Sequence, residues 1–547
     1  MRKIILLSVT FFTIASCFSQ KKDFVITDYG AISDGVTNNV TAIQHAIDDA
    51  NKNGGGRVVV PRGRFLTGVI HLKSNVELFV HEEAVLLAST DRADYGPSQN
   101  ASAWIVANNA KNISIAGKGT IDGQCDLLIQ DIYKKLKAGD LYDKEWKQYN
   151  DWHQRRPSEN NRPRMIDFRN CEGVTIRNIH LQNGTSWIQD YRNCTNLIMD
   201  SVHVFSNTFL NNDGIDIVDC KNAKITNCII NAADDGICLK SEDRNRRCEN
   251  IYVANCKVRS SASAVKLGTA SRGGFKNIVI KNIEVYNTFR SAIAIESVDG
   301  GVLEDVAVEH IHAVNTGNAI FIRLGHRNKD SVISQLRNVF INDVSVEVPK
   351  NKPDKGYPMD GPELRVPSKK EDTTVQYPND AAPWDHFSVD TSSALIPHNI
   401  FPSSVTGIPG HPVENVVLQN ITIIYDGGGD KSLADFPLDS FKKIPEAATD
   451  YPEFSMFGEL PAWGLYVRHV NGIALKNIKL VNKKKDYRAA LLVDDTQKAD
   501  LRNLSVVGAT SLPVLFFNDV KPLALDNIKI PGDRDKTIKI NTPPTNK

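Results

Sequence analysis

Through the middle of the chain one short alternation of polar, small and aliphatic positions keeps returning. It reads Asp213-Gly214-Ile215-Asp216-Ile217, Asp235-Gly236-Ile237-Cys238-Leu239, Ser263-Ala264-Val265-Lys266-Leu267, Ser291-Ala292-Ile293-Ala294-Ile295 and Asn318-Ala319-Ile320-Phe321-Ile322, at spacings of 22, 28, 28 and 27 residues. A period of two predicts strands with one aliphatic face. A repeat of this length predicts a solenoid whose coils each supply an equivalent strand. With Ile215 and Ile217 pointing inward, Asp216 and Val218 point outward. One outward column then holds Asp216, Cys238, Lys266, Ala294 and Phe321, and the next holds Val218, Lys240, Gly268, Glu296 and Arg323. The phrase returns at Trp463-Gly464-Leu465-Tyr466-Val467-Arg468, which adds Tyr466 and Arg468 to the columns if that coil is in register.

The flanks follow the same logic. Asn39 to Lys52 has helical spacing, with Ile43, Ala46 and Ile47 on one face, and predicts a helix that caps the open end of the solenoid. Gly54-Gly55-Gly56 lacks the Lys-Ser/Thr that completes a phosphate loop, so it reads as a turn into Arg57-Val58-Val59-Val60. Further coils share an idiom of asparagine then aliphatic alternation, as in Asn196-Leu197-Ile198-Met199, Asn250-Ile251-Tyr252-Val253 and Asn277-Ile278-Val279-Ile280. Asparagine tolerates tight turns, and a turn or an amide ladder along the stack explains it without chemistry. Three stretches break the rhythm: 125–163, helical around Leu127 to Leu141 and then basic with Trp152, His153, Arg155, Arg156 and Arg162; 349–412, rich in proline and charge; and 426–460. Long insertions on a rigid scaffold read as binding loops. The β-helical domain is expected over 23–530, with a frayed tail at 531–547.

Composition changes this picture little. A formal net charge of +1 over 547 residues gives no reason to invoke nucleic acid, and beyond the N-terminus no stretch is apolar enough for a transmembrane segment. Residues 1–20 read as an export signal, Arg2 and Lys3 preceding an apolar run from Ile4 to Ala15. Ile14-Ala15-Ser16-Cys17 resembles a bacterial lipoprotein box, which would anchor the chain through a lipid on Cys17; cleavage near Gln20 is the alternative. The expected localisation is therefore periplasmic, outer-membrane-anchored or secreted. Eight further cysteines suit disulfides in an exported chain, yet Cys220 and Cys228 recur 28 residues on as Cys248 and Cys256, which favours stacked, buried thiols. No pair has the spacing of a zinc knuckle.

The candidate chemistry lies in carboxylates. Asp213 and Asp235 share a column on successive coils and Asp234 adjoins Asp235, so three acids crowd one patch and at least one should hold its proton near neutrality. Glycosidic cleavage needs that pairing of a protonated and an ionised carboxyl. Acidic turns are the bland alternative. Asn212-Asp213-Gly214-Ile215-Asp216 and Asp234-Asp235, with Tyr29-Gly30-Ala31 and Gly55-Gly56-Arg57-Val58, resemble glycoside hydrolase family 28, the polygalacturonases and their relatives. The resemblance implies an all-β, right-handed parallel β-helix of the pectin-lyase-like kind, with no metal or cofactor. It implies Asp234 as general acid, Asp213 and Asp235 positioning the attacking water, and inversion at the anomeric carbon. Two family motifs are lost: Gly-His-Gly falls on Ala262-Ser263-Ala264, and the carboxylate-binding Arg-Ile-Lys falls on Ala294-Ile295-Glu296.

Ser263 carries no charge, and Glu296 repels a uronate. Lys240, Lys266, Arg323 and Arg468 are therefore the expected substitutes in substrate binding, with Tyr466 beside them and Arg290, His326, Arg327 and His469 just beyond the strands; each could equally be a solvated surface group. Trp187, Phe321, Trp463 and Tyr466 are candidates for stacking on sugar faces. The resulting expectation is an exported, inverting glycoside hydrolase of an acidic pectic or algal polysaccharide or its oligosaccharides, exo-acting and galacturonidase-like. The alternatives are a polysaccharide lyase on the same fold, with Lys266 or an arginine as base or calcium on the acidic trio, and a non-catalytic glycan-binding protein.

Overall fold

A computed structural model describes residues 22–146, 156–359 and 398–541. The expected export signal with Cys17, and Trp152, His153 and Arg155, lie outside them. Among the described residues no helix is long and apolar enough to cross a membrane.

The chain coils into a right-handed parallel β-helix. Each strand pairs in parallel with its counterpart one coil on, as Val58 does with Leu78 near the start and Leu501 with Leu525 near the end. The helix α1 (Val40–Lys52) turns Ala42, Ile43, Ala46, Ile47 and Ala50 inward over the first coil, which is the expected cap. A second helix, α2 (Cys125–Ala138), forms in the first insertion and buries Leu128, Ile129, Ile132 and Leu136. It stops at Gly139, whose φ of 83° a side chain would disfavour.

The strands that matter for function are β1 (Gln189–Arg192), β2 (Ile215–Val218), β3 (Ile237–Ser241), β4 (Val265–Ser271), β5 (Gly274–Ser297), β6 (Val302–Leu324), β7 (Ser403–Thr406) and β8 (Ala462–Lys484). Ile215, Ile237, Val265, Ile293 and Ile320 stack in one buried inward column. The outward column Asp216, Cys238, Lys266, Ala294, Phe321 pairs as the alternation predicts, and continues through Ser404 to Tyr466. The phrase at Trp463 is thus in register, with β7 inserted before it.

Turns between strands are held by asparagines. Asn196, Asn222, Asn250 and Asn277 all take φ near 55–59°, and Nδ2 of each later residue donates to Oδ1 of the one before at 3.2, 3.0 and 2.7 Å. All eight cysteines among the described residues are buried free thiols. Cys194 Sγ donates to the Phe168 carbonyl at 3.4 Å and Cys220 Sγ to the Tyr191 carbonyl at 3.2 Å.

Two expectations need correction. The tail is not frayed through residue 541, because Ile538–Asn541 pairs with Leu515–Asn518 and covers the last coil edge. The outward face is not open along its length either. From Ala294 onward the column turns apolar, and Phe441, Ile444, Phe454, Met456 and Phe457 of the third insertion pack on Ala294, Phe321, Tyr466, Leu492 and Phe516 as a second core. Phe321 and Tyr466, each 1% exposed, are therefore packing residues rather than sugar platforms. Trp463 lies in the main core with Nε1 donating to Thr510 Oγ1 at 3.1 Å.

Candidate active site

The polar part of the outward face spans β1 to β4 and is bordered by the covered half. At its upstream end, successive coils present Trp187, Asp213, Asp235 and Ser263 in one row, tied by Ile188 N to Asp213 O at 3.1 Å, Gly214 N to Asp235 O at 2.9 Å and Gly236 N to Ser263 O at 2.9 Å. The repeat aligns them because the small residue after each, Gly214, Gly236 or Ala264, lets the coils close. A Cβ on Gly214 would lie 2.5 Å from Gly236 O, and one on Gly236 would lie 2.7 Å from Ala264 O. Carboxylate oxygens of Asp213, Asp234 and Asp235 lie within 4.8 Å of one another.

Their environments differ. Asp235 is buried, which opposes ionisation, but Lys266 Nζ stands 3.2 Å from Oδ2 and the Ser263 backbone N–H donates to Oδ1 at 3.1 Å. With Lys240 and Arg290 also near, its pKa falls below the ordinary value. Asp234 is half-buried, and its pKa is raised first by burial and then by the charge of Asp235. It accepts from the Asp235 backbone N–H at 2.9 Å on Oδ1 and from Asn211 Nδ2 at 3.3 Å on Oδ2, while Arg290, Lys266 and Lys240 offset part of the rise. One carboxyl of the pair thus keeps a proton where the other has lost it.

Asp213, expected with Asp235 to position the attacking water, sits where its protonated form is favoured. Burial and Asp216 push its pKa well up, and it shares a single cation, because Lys240 Nζ reaches Asp213 Oδ2 at 2.9 Å and also bonds Asp216 Oδ1. Asp213 Oδ1 and Asp216 Oδ2 are buried without hydrogen-bond partners. One ammonium cannot neutralise two buried carboxylates, so a proton resides on this pair; burial brings Asp216 to about 7. The sequence places Asp216 on the outward face but gives it no part in the site; its signal is an outward acid two positions from Val218, the strand partner of Lys240.

The expected substrate-binding cations are otherwise engaged. Lys240 lies 3.7 Å from the Trp187 ring centroid, and Arg164 lies 4.6 Å from it, so cations occupy a ring expected to stack on sugar. Lys266, 2% exposed, stands among Asp235, Glu296 at 3.9 Å and the Tyr451 hydroxyl at 3.3 Å. Burial opposes its charge, but Asp235 and Glu296 outweigh it and hold its pKa well above the ordinary lysine value. Glu296 is brought to about 7 chiefly by burial, and accepts from Thr269 Oγ1 at 3.0 Å.

Arg323 is 1% exposed and donates to the carbonyls of Gly407, Glu446 and Ala447 at 2.9, 2.6 and 3.0 Å. Arg468 pairs with Glu446 at 2.8 Å and Asp494 at 3.1 Å. Both fasten the covering insertion to the sheet. They are corrected from substrate contacts to loop anchors, because the insertion roofs their columns. His469 likewise bridges Asp495 and Glu446. Ser263 contributes its backbone, and no side-chain bond to substrate follows from its place.

The acidic oxygens are close enough to ligate one ion, as are Asp213, Asp216 and Cys238, but the ammonium groups of Lys240 and Lys266 already bring positive charge to those carboxylates.

The sequence profile of glycosyl hydrolases family 28 matches residues 52–352, more than half of the chain and all three acids. The chain belongs to this family. Among relatives of this family 28 protein, a probable polygalacturonase of Vitis vinifera is 27% identical over 59% of this chain and 61% of its own length. The exo-poly-alpha-D-galacturonosidase of Dickeya chrysanthemi is 25% identical over 47% of this chain and 49% of its own. The chain thus spans about half to two thirds of the length of the curated relatives it matches first. Two solved structures share the fold: a family 28 exopolygalacturonase of Yersinia enterocolitica (TM-score 0.57, 16% identity, 95% of this chain and 78% of that one) and a hyperthermoactive exopolygalacturonase of Thermotoga maritima (TM-score 0.53, 22% identity, 74% and 87%).

Proposed function

We propose that this family 28 chain hydrolyses glycosidic bonds in an acidic, pectic or algal polysaccharide or its oligosaccharides. The observation that carries the reading is the unequal setting of adjacent carboxyls: Lys266 Nζ stands 3.2 Å from Asp235 and favours its ionised form, while burial and the neighbouring charge of Asp235 push Asp234 up. Asp234 gives its proton to the glycosidic oxygen as the bond to the anomeric carbon breaks. Asp235, with Asp213 beside it, takes a proton from the water whose oxygen forms the new bond. Asp234→Asn is expected to abolish turnover while leaving folding and ligand binding nearly intact; retained hydrolysis overturns the assignment.

The stereochemistry needs its own measurement. In glycosidases with two carboxyls, separations of roughly 5 Å accompany retention and wider ones inversion. Here the oxygens are within 4.8 Å, but three acids and two lysines share the site. The spacing alone would suit retention, so inversion is inferred from membership of family 28, and proton NMR of the first-formed anomer checks it: a retained product would make one of the aspartates a nucleophile.

Exo action and a polyuronide substrate belong to the same reading. The covering insertion brings Tyr451 and Glu453 against Lys266 and Arg290 and walls the downstream side of the polar face. The relatives named as polygalacturonases and a galacturonosidase point to a uronate polymer. Monosaccharide as the sole early product from oligogalacturonate supports exo attack, whereas a ladder of oligomers means internal cutting. Export, by lipid on Cys17 or by cleavage near Gln20, is read from the N-terminal mass of the protein made in a bacterial host.

A further inference from the structure

Past the carboxylates, the outward face runs on towards the carboxyl ends of the strands. There the turns after β3, β5 and β6 and the end of β4 border an open depression of about 770 Å³ lined by Glu242, Ala270, Arg272, Asp299 and the run Arg327 to Asp330. Several of its charges are paired. Arg327 grips Asp299 through bonds of 2.9 and 2.7 Å, Glu242 pairs with Arg192, and Asp330 pairs with Arg244. Arg272 and Lys329 are exposed and have no acidic partner among the described residues.

This depression continues the catalytic face. Asp235 precedes β3 and Glu242 follows it, a separation of about 23 Å at roughly 3.3 Å per residue. Tyr451 links the two: its hydroxyl accepts from Lys266 at 3.3 Å, and the Arg327 guanidinium lies 5.7 Å from its ring centroid. A sugar chain lying along the strands from Asp234 therefore reaches Arg272 and Lys329 several units away. A guanidinium fork and an ammonium facing one concavity are suited to a carboxylate.

We propose that this depression is a distal subsite in which Arg272 and Lys329 bind the carboxylate of a uronate unit remote from the bond that breaks. The site supplies charge recognition where Ser263 and Glu296 cannot. It rests on the polyuronide reading above.

The test is calorimetric binding to Asp234→Asn protein, so that hydrolysis plays no part, with and without Arg272→Ala plus Lys329→Ala. The probes are galacturonic acid disaccharide, the hexasaccharide, and the hexasaccharide with its carboxyls reduced. Loss of both cations is expected to weaken hexasaccharide binding about tenfold, or ~1.4 kcal/mol, and to leave the disaccharide and reduced probe unaffected. Unchanged hexasaccharide affinity, or an equal loss with the reduced probe, overturns the subsite alone. Parent protein that ignores the hexasaccharide overturns the polyuronide reading and the subsite with it.

Discussion

Asn211 decides how the acid of the pair is held. Arg162, buried at the end of the first insertion, donates to the carbonyls of Pro157, Thr185 and Leu210 and to Asn211 Oδ1 at 2.8 Å. With its carbonyl fixed there, the Asn211 amide presents its NH2 to Asp234. That donor favours the carboxylate form, so Asn211→Ala is expected to raise the Asp234 pKa further. Because the acid must be protonated to act, the alkaline limb of the kcat/KM profile should move to higher pH; an unmoved limb would separate Asn211 from Asp234. The three aspartates were legible in the sequence because the repeat places them on neighbouring coils. Lys240 was not legible as their partner, since it pairs diagonally with Asp213 and Asp216 while its backbone neighbour is Val218. Arg162 comes from a segment with no repeat against which to align it.

The covering insertion shows where periodicity stops informing. Ala294, Phe321 and Tyr466 alternate outward as predicted, joined by Leu492 and Phe516, and alternation alone cannot tell a face covered by sugar from one covered by an insertion of the same chain. Phe457 packs on Tyr466 at 5.8 Å between centroids and lies 5.2 Å from the Arg323 guanidinium. Phe457→Ala is expected to lower stability by about 3–5 kcal/mol. As the same insertion walls the groove, the variant should also release longer products than wild type. Thermal unfolding together with product sizing checks both, and unchanged products from a destabilised variant would detach the wall from exo action.

Across the molecule, buried acids tie stability to pH. Burial brings Asp216 and Glu296 to about 7 from ordinary values of 3.8 and 4.5. The folded chain then binds more protons than the unfolded one between about pH 4 and 7, so stability is greatest below that window and falls as pH rises through it. Asp235, shifted down, acts oppositely at the acid end. Tm is therefore expected to drop between about pH 4 and 7, less steeply in Asp216→Asn; a flat profile would mean the lysines keep both acids ionised. The asparagine ladder has a consequence of another kind. Each rung gives one hydrogen and receives one, so the row from Asn277 to Asn196 has a direction. Slow loss of ammonia from Asn250 would leave an aspartate there, still able to receive from Asn277 but with nothing to give Asn222. Age would thus open the seam one link at a time, on one side of each altered residue, long before any coil comes loose.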